Sequence, residues 1–284
     1  MKTIFKFSLL ITIFLQSGLV KADNWMYSLE DAKKMAVATN KLILVDFWAT
    51  WCGPCKRMDD ETWSKSDIQS VMDKFIPVRI DIDIHKDIAH KYGASVIPYI
   101  FILDANGELV HSQKGYMNRS DVLQLLEKYA ISTEYLQRDY LIYNKKQNSL
   151  SSIRLAQAYQ NFAIYLNKDI SGKFLSLSKN YLRKAEKYIK EEGQESEIFT
   201  QKIELLEIED DLIRGKYKKC MKSLEALDEK QIQDQNLTLF YFLNYVTDSA
   251  SQKTDAATWL EKLNSMKTGK LYTQRAEKLL TTSD

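Results

Sequence analysis

The chain has 284 residues, 40 basic against 38 acidic, and 45% hydrophobic residues. That length allows one or two domains with proper cores, and so balanced a charge gives no nucleic-acid or anionic-membrane footprint. Three cysteines cannot staple a chain of this size, so its core must suffice without a disulfide framework. Residues 1–22 read as a signal peptide. Lys2 and Lys6 form a basic start, Phe7 to Leu15 an apolar core, and Val20-Lys21-Ala22 the small residues flanking a cut after Ala22. An uncleaved membrane anchor is the alternative, though that core is short against the ~20 residues of a bilayer span. No cysteine lies near the cut, which disfavours a lipid anchor. Taking Lys2, Lys6 and Lys21 from the 40 basic residues leaves 37 against 38 acidic, net −1. No later stretch is long enough to span a bilayer, so no stable membrane insertion is expected after cleavage, and the expected location is periplasmic or secreted.

The spacing of Leu29, Ala32, Met35 and Ala36 predicts a helix over 25–40, opened by Ser28 and Asp31 in the manner of a capping box. Leu42 to Phe47 is a mostly apolar run, as in a strand covered on both faces. The stretch Trp51-Cys52-Gly53-Pro54-Cys55-Lys56 then predicts a tight turn and a helix start, where a proline costs nothing. Unpaired N–H groups and the positive dipole end favour a thiolate at Cys52. Such a site can lower a cysteine pKa from about 8.5 towards about 7 or below, and the thiolate is the nucleophile in disulfide exchange. Cys55, one turn later, is within reach to resolve a mixed disulfide. A zinc half-site and an inert disulfide are the other readings of this spacing. Zinc needs about four ligands; the one other cysteine, Cys220, has no histidine neighbour, and His85, His90 and His111 are scattered. No metal is expected.

Ile68, Val71, Met72 and Phe75 predict a helix over 66–75, stopped by Pro77. Residues 78–84 alternate apolar residues with Arg79, Asp81 and Asp83, a strand with one polar face. A short helix over 87–93 closes on Gly93. The strand over 96–103 is interrupted by Pro98, which points to an edge or a special turn. Asp104 to Gly107 forms a hairpin turn, a strand returns from Leu109, and 120–129 is a closing helix. This order is an α/β fold, a mixed sheet with helices on both faces. Beyond residue 130 the region is all-α. All three prolines lie at or before position 98, and helices are predicted at about 133–146, 151–166, 195–213, 216–227, 236–248, 255–266 and 270–280. A further apolar face runs through Phe174, Leu177, Tyr181, Ala185 and Tyr188. Gly215-Lys216-Tyr217 before Cys220 and Leu224 is similar to part of a tetratricopeptide repeat, and helical hairpins recur about every 40 residues. An irregular bundle is the alternative, because 201–211 is acidic where repeats pack. The expected division is 1–22, 23–130 and 131–284.

Asp46 stands alone on an apolar strand, which is costly unless it is neutral or hydrogen-bonded. The run Val45-Asp46-Phe47-Trp48-Ala49 followed by Trp51-Cys52-Gly53-Pro54-Cys55-Lys56 resembles the active-site strand and helix of thioredoxins. Lys91-Tyr92-Gly93, Val96-Ile97-Pro98, Asp104-Ala105-Asn106-Gly107 and Gly115 extend the likeness over about residues 25–130, and the Lys56 to Trp63 continuation is similar to secreted bacterial thioredoxin-like domains. The resemblance implies a thioredoxin fold and a thiol–disulfide oxidoreductase. It implies that Cys52 attacks, Cys55 releases the product, and the two end as a disulfide. It implies that Asp46 helps deprotonate Cys55; the plain alternative is a partner for Arg79, which falls where thioredoxins often carry a lysine. Trp51, Gly53, Pro54, Ile97 and Pro98 are then the substrate-contacting residues, with Ile97–Pro98 cis, although Trp51 could simply pack. Tyr99 is bulkier than the threonine common in thioredoxins. Gly53-Pro54 resembles the reducing members, so the expected work is reduction or isomerisation of disulfide-containing protein substrates. No cofactor is expected, and a membrane or exported thiol reductant would supply electrons. Cys220 reads as a small buried hydrophobe rather than a second redox centre. A second function remains open: a protein-binding helical adaptor whose thioredoxin-like domain is a redox-regulated or accessory module.

Overall fold

The computed structural model describes residues 24–192 and 197–281. The expected signal segment lies outside them. Helix α1 (Leu29–Thr39) starts where Ser28 Oγ accepts the Asp31 N–H at 3.2 Å, and it buries Leu29, Ala32 and Ala36. The chain then enters β1 (Leu42–Trp48), buried at six consecutive positions. That burial follows from its place inside the four-stranded sheet, whose order is β2-β1-β3-β4. Strand β2 (Phe75–Asp81) pairs parallel with β1. Strand β3 (Tyr99–Leu103) pairs antiparallel with both β1 and β4 (Leu109–Lys114). Between them run α2 (Gly53–Met58), a π-helical turn at Asp59–Trp63, α3 (Ser66–Met72) and α4 (Lys86–Tyr92), and α5 (Arg119–Tyr129) follows β4. This is the mixed α/β sheet of a thioredoxin fold.

Several boundaries differ from expectation: the helix expected over 25–40 begins at Leu29, and the strand expected over 78–84 is Phe75–Asp81. The helix expected over 66–75 ends at Met72, and Pro77 lies inside β2 instead of stopping that helix. The sheet tolerates it because β2 is an edge strand. The Pro77 carbonyl accepts the Met26 N–H, and the Arg79 N–H donates to the Met26 carbonyl, each at 2.8 Å. The proline nitrogen therefore faces away from β1 and removes no ladder bond. The strand expected from Val96 begins only at Tyr99, on an interior strand, so Pro98 marks a turn before it and not an edge.

The rest of the described chain is helical: α6 (Gln137–Lys145), α7 (Ser149–Ala163), α8 (Lys168–Glu192), α9 (Glu197–Ile213), α10 (Tyr217–Glu225), α11 (Asp234–Ala250), α12 (Ala256–Ser265) and α13 (Gly269–Thr281). The lengths are unequal, 25 residues in α8 against nine in α10. Inside this region the ion pair of Glu209 and Arg275 is buried, with the guanidinium 4.8 Å from the Phe242 ring and 4.7 Å from the Tyr272 ring.

Apart from a small separate cluster of Ala49, Cys52 and Cys55, the buried apolar side chains of both regions form one contiguous core. The helices meet the sheet at the β3–β4 turn. Fully buried Asp104 accepts the N–H groups of Asn106 and Glu108 at 2.8 and 2.7 Å, and Tyr159 of α7 donates its hydroxyl to the other carboxylate oxygen. The Tyr140 hydroxyl lies 3.0 Å from that of Tyr159, Asn106 donates to the Tyr181 hydroxyl at 2.8 Å, and Lys184 pairs with Glu108 at 2.6 Å. Burial pushes the Asp104 carboxyl up to about 6. Leu103 pairs with Ile43 near the start of β1, whereas the cysteines follow its end. Seven residues of strand, roughly 20 Å, separate the two ends. Tyr159→Phe leaves one Asp104 oxygen buried without its donor. The expected cost is about 1–3 kcal/mol, read as a lower midpoint in urea; an unmoved midpoint would mean that the hydroxyl contributes nothing to docking.

Candidate redox site

The end of β1 and the start of α2 place the two cysteines. Cys52 is the residue before the helix, in extended backbone, and its Sγ accepts the Cys55 N–H at 3.2 Å. Pro54 occupies the first turn, where no donor is lost. Cys52 and Cys55 are joined as a disulfide, with their Cα atoms 5.3 Å apart. Both are buried, against Ala49 and the partly buried Trp48, Ile82 and Ile97. Gly53 and Pro54 are exposed beside them.

Trp51 is 65% exposed, so simple packing does not describe it. Its indole N–H donates to Asp83 Oδ2 at 2.7 Å, which fixes the ring at the surface beside the disulfide. Asp83 was not identifiable from the sequence: the alternation places it on a strand, but β2 ends at Asp81 and the following turn carries it to Trp51. The Ile97–Pro98 peptide is cis, as the resemblance implies. Ile97 packs against the cysteine cluster, and the Pro98 carbonyl is held by the Gly115 N–H at 2.8 Å. Tyr99 is buried. Its hydroxyl lies 3.2 Å from Ser112 Oγ, and the Lys114 ammonium sits 5.1 Å from its ring centre, so its bulk is directed to β4.

Asp46 is 1% exposed in the middle of β1. It faces Arg79 in register, with 3.2 Å between Oδ2 and a guanidinium nitrogen. At that distance the contact is an ion pair with the guanidinium. Desolvation pushes the Asp46 carboxyl up to about 6, against the attraction of Arg79 and with the repulsion of Asp59. The arginine partnership is therefore real, and it leaves a buried acid that exchanges its proton close to neutral pH.

The remaining candidates lie elsewhere. The half-buried His111 stacks on Tyr129, and among the described residues no group of three or more His, Cys, Asp or Glu could hold a metal. Cys220 is buried, its Sγ 3.6 Å from the Ile208 carbonyl, and desolvation pushes its thiol up to about 11. It is the small buried side chain that the helical context implies.

A mixed sheet with a Cys-x-x-Cys disulfide at a helix start, packed by the residue before a cis-proline, defines the class: a thioredoxin-like thiol–disulfide oxidoreductase fold. The family described as "Thioredoxin-like domain" matches residues 29–130. Thioredoxin of Bacillus subtilis is 34% identical over 112 residues, which is 39% of this chain and 98% of that protein. Thioredoxin-1 of Drosophila melanogaster is 36% identical over 77 residues, 27% of this chain and 70% of that protein. Among solved structures, the reduced C-terminal domain of Neisseria meningitidis DsbD aligns at 22% identity and TM-score 0.32, over 36% of this chain and 93% of that one. Through residues 29–130, this chain belongs to the thioredoxin family.

Proposed function

We propose that the protein is an exported thiol–disulfide oxidoreductase that reduces disulfides in protein substrates. The observation that carries this is the Cys52–Cys55 pair, with the Cys52 sulfur at the helix start receiving the Cys55 N–H. In the reduced form the Cys52 thiolate attacks a substrate disulfide, forming one S–S bond and releasing one substrate thiolate. Asp46 takes the proton of Cys55. The Cys55 sulfur then attacks Cys52, the second substrate thiolate leaves, and the enzyme holds the disulfide. Two electrons have passed to the substrate. A membrane or exported thiol reductant must return them. Trp51, Gly53, Pro54, Ile97 and Pro98 surround the reacting sulfurs as the substrate-contacting surface. Export rests on the pattern of residues 1–22. The adaptor reading puts the working surface on the helices, which meet the sheet at the end away from the cysteines.

The test is reduction of insulin by the full chain with dithiothreitol. The expected result is precipitation well ahead of dithiothreitol alone. No acceleration by folded protein would end the proposal. The direction is read from the reduction potential: a value near about −270 mV fits a reductant and one near about −120 mV an oxidant.

A further inference from the structure

Arg79 serves two carboxylates. One guanidinium nitrogen lies 3.2 Å from Asp46 Oδ2 and 2.9 Å from Asp59 Oδ1. The guanidinium is stacked 4.4 Å from the Trp48 ring centre and lies 5.5 Å from that of Trp25, so it has little freedom to choose between them. Trp48 in turn packs on the cysteine cluster. Asp59 opens the π-helical turn that continues α2, and its backbone N–H bonds to the Cys55 carbonyl. The acid pair thus spans from the buried strand to the helix that carries the resolving cysteine.

The charged groups that reach Asp46 are Arg79 from β2 and Asp59 from the π-helical turn; β3 presents Ile100 at that register. A cation shared between two carboxylates neutralises neither fully, and a second like charge nearby disfavours ionisation of the first. Asp59 is about one third exposed, so water solvates its charge, whereas the buried Asp46 depends on Arg79.

We propose that Asp59 is a positioning residue of the redox site: it holds part of the Arg79 cation away from Asp46 and so sets how readily Asp46 takes the proton released when Cys55 resolves the mixed disulfide. This rests on the role of Asp46 given under Proposed function. In that step the Cys55 proton passes to the Asp46 carboxylate, the Cys55–Cys52 bond forms, the Cys52–substrate bond breaks, and the substrate leaves as a thiolate.

The experiment follows the Asp46 carboxyl carbon by NMR in the oxidised full chain, from the carboxylate range up to about pH 9. It compares the natural protein with Asp59→Asn and Asp59→Glu, and runs insulin reduction over the same pH values. In Asp59→Asn the Asp46 midpoint is expected to fall by about one unit, with the acid limb of the rate profile moving the same way. Asp59→Glu should return both towards the natural values. A purely structural Asp59 would alter melting but leave the midpoint in place, and an unmoved midpoint overturns the proposal. So does a midpoint that moves without the rate profile. Asp59→Ser, also neutral, gives the same readout if the asparagine protein does not fold. If the natural protein reduces no insulin, the functional reading falls instead, and the NMR midpoint alone decides whether Asp59 and Asp46 are coupled.

Discussion

Cys55→Ser is expected to capture substrate proteins as mixed disulfides on Cys52, whereas Cys52→Ser captures none and reduces insulin no faster than dithiothreitol alone. The asymmetry comes from where the two sulfurs sit. Cys52 precedes α2, between exposed Trp51 and Gly53, and its sulfur accepts the Cys55 N–H at 3.2 Å. That bond persists in Cys55→Ser because a backbone N–H donates it. A hydrogen bond to the charged form favours the thiolate, as does the helix start, so the attacking sulfur stays active when its partner is a hydroxyl. Cys55 lies inside the helix, 1% exposed, in the shell of Ala49 and Cys52 with Trp48, Ile82 and Ile97. Cys52 shares this burial at 3% exposed, so the asymmetry rests on its helix-start position and on the N–H bond that its sulfur accepts. With Cys52 replaced, turnover therefore falls to background. The check is non-reducing electrophoresis of both variants after incubation with an oxidised substrate. Equal capture by the two would show that attack is not confined to Cys52.

Much of this site is legible along the chain because its parts are local. The apolar run of β1, the turn at Gly53-Pro54 and the helix start are consecutive, so short-range rules place both cysteines. What depends on chain crossings is not legible. Pro77 reads as a helix stop unless β2 is known to be an edge strand with Met26 on its outer side. Asp83 reaches Trp51 only because the strand ends early, and Asp59 reaches Arg79 only because the π-helical turn brings it under β2. The helical half shows the same limit. Its periodicity gives the helices, yet tyrosines suit core and interface alike. Tyr181 belongs to the core because Asn106 of the hairpin turn donates to its hydroxyl. Asp104 looks like an ordinary turn residue and is instead the buried acid on which the helices dock.

Asp46→Asn should stabilise the fold at neutral and alkaline pH while slowing release of the product. The stability side follows from burial. The folded-state carboxyl stands at about 6 against 3.8 for the free group, with desolvation as the leading cause. A native value above the unfolded one means that the folded chain holds the proton more tightly. The stabilisation is complete below about pH 4 and is lost as the pH rises through about 6, where the native state must carry a charge in the sheet. Such a rise is worth about 3 kcal/mol. Asparagine does not titrate, so its advantage over aspartate should grow by that order between about pH 4 and about pH 8. Arg79 moderates the effect without reversing it, because it keeps Asp59 as a partner at 2.9 Å. Denaturant titrations at the two pH values measure it. The kinetic side moves the opposite way. A positioned base is worth about 100-fold or more in a proton transfer, so resolution of a mixed disulfide preformed on Cys52 should slow by about that factor and lose its inflection near the Asp46 midpoint. Resolution at the natural rate across the neutral range, together with the pH-dependent gain in stability, would leave Asp46 as a buried partner of Arg79 with no part in the chemistry.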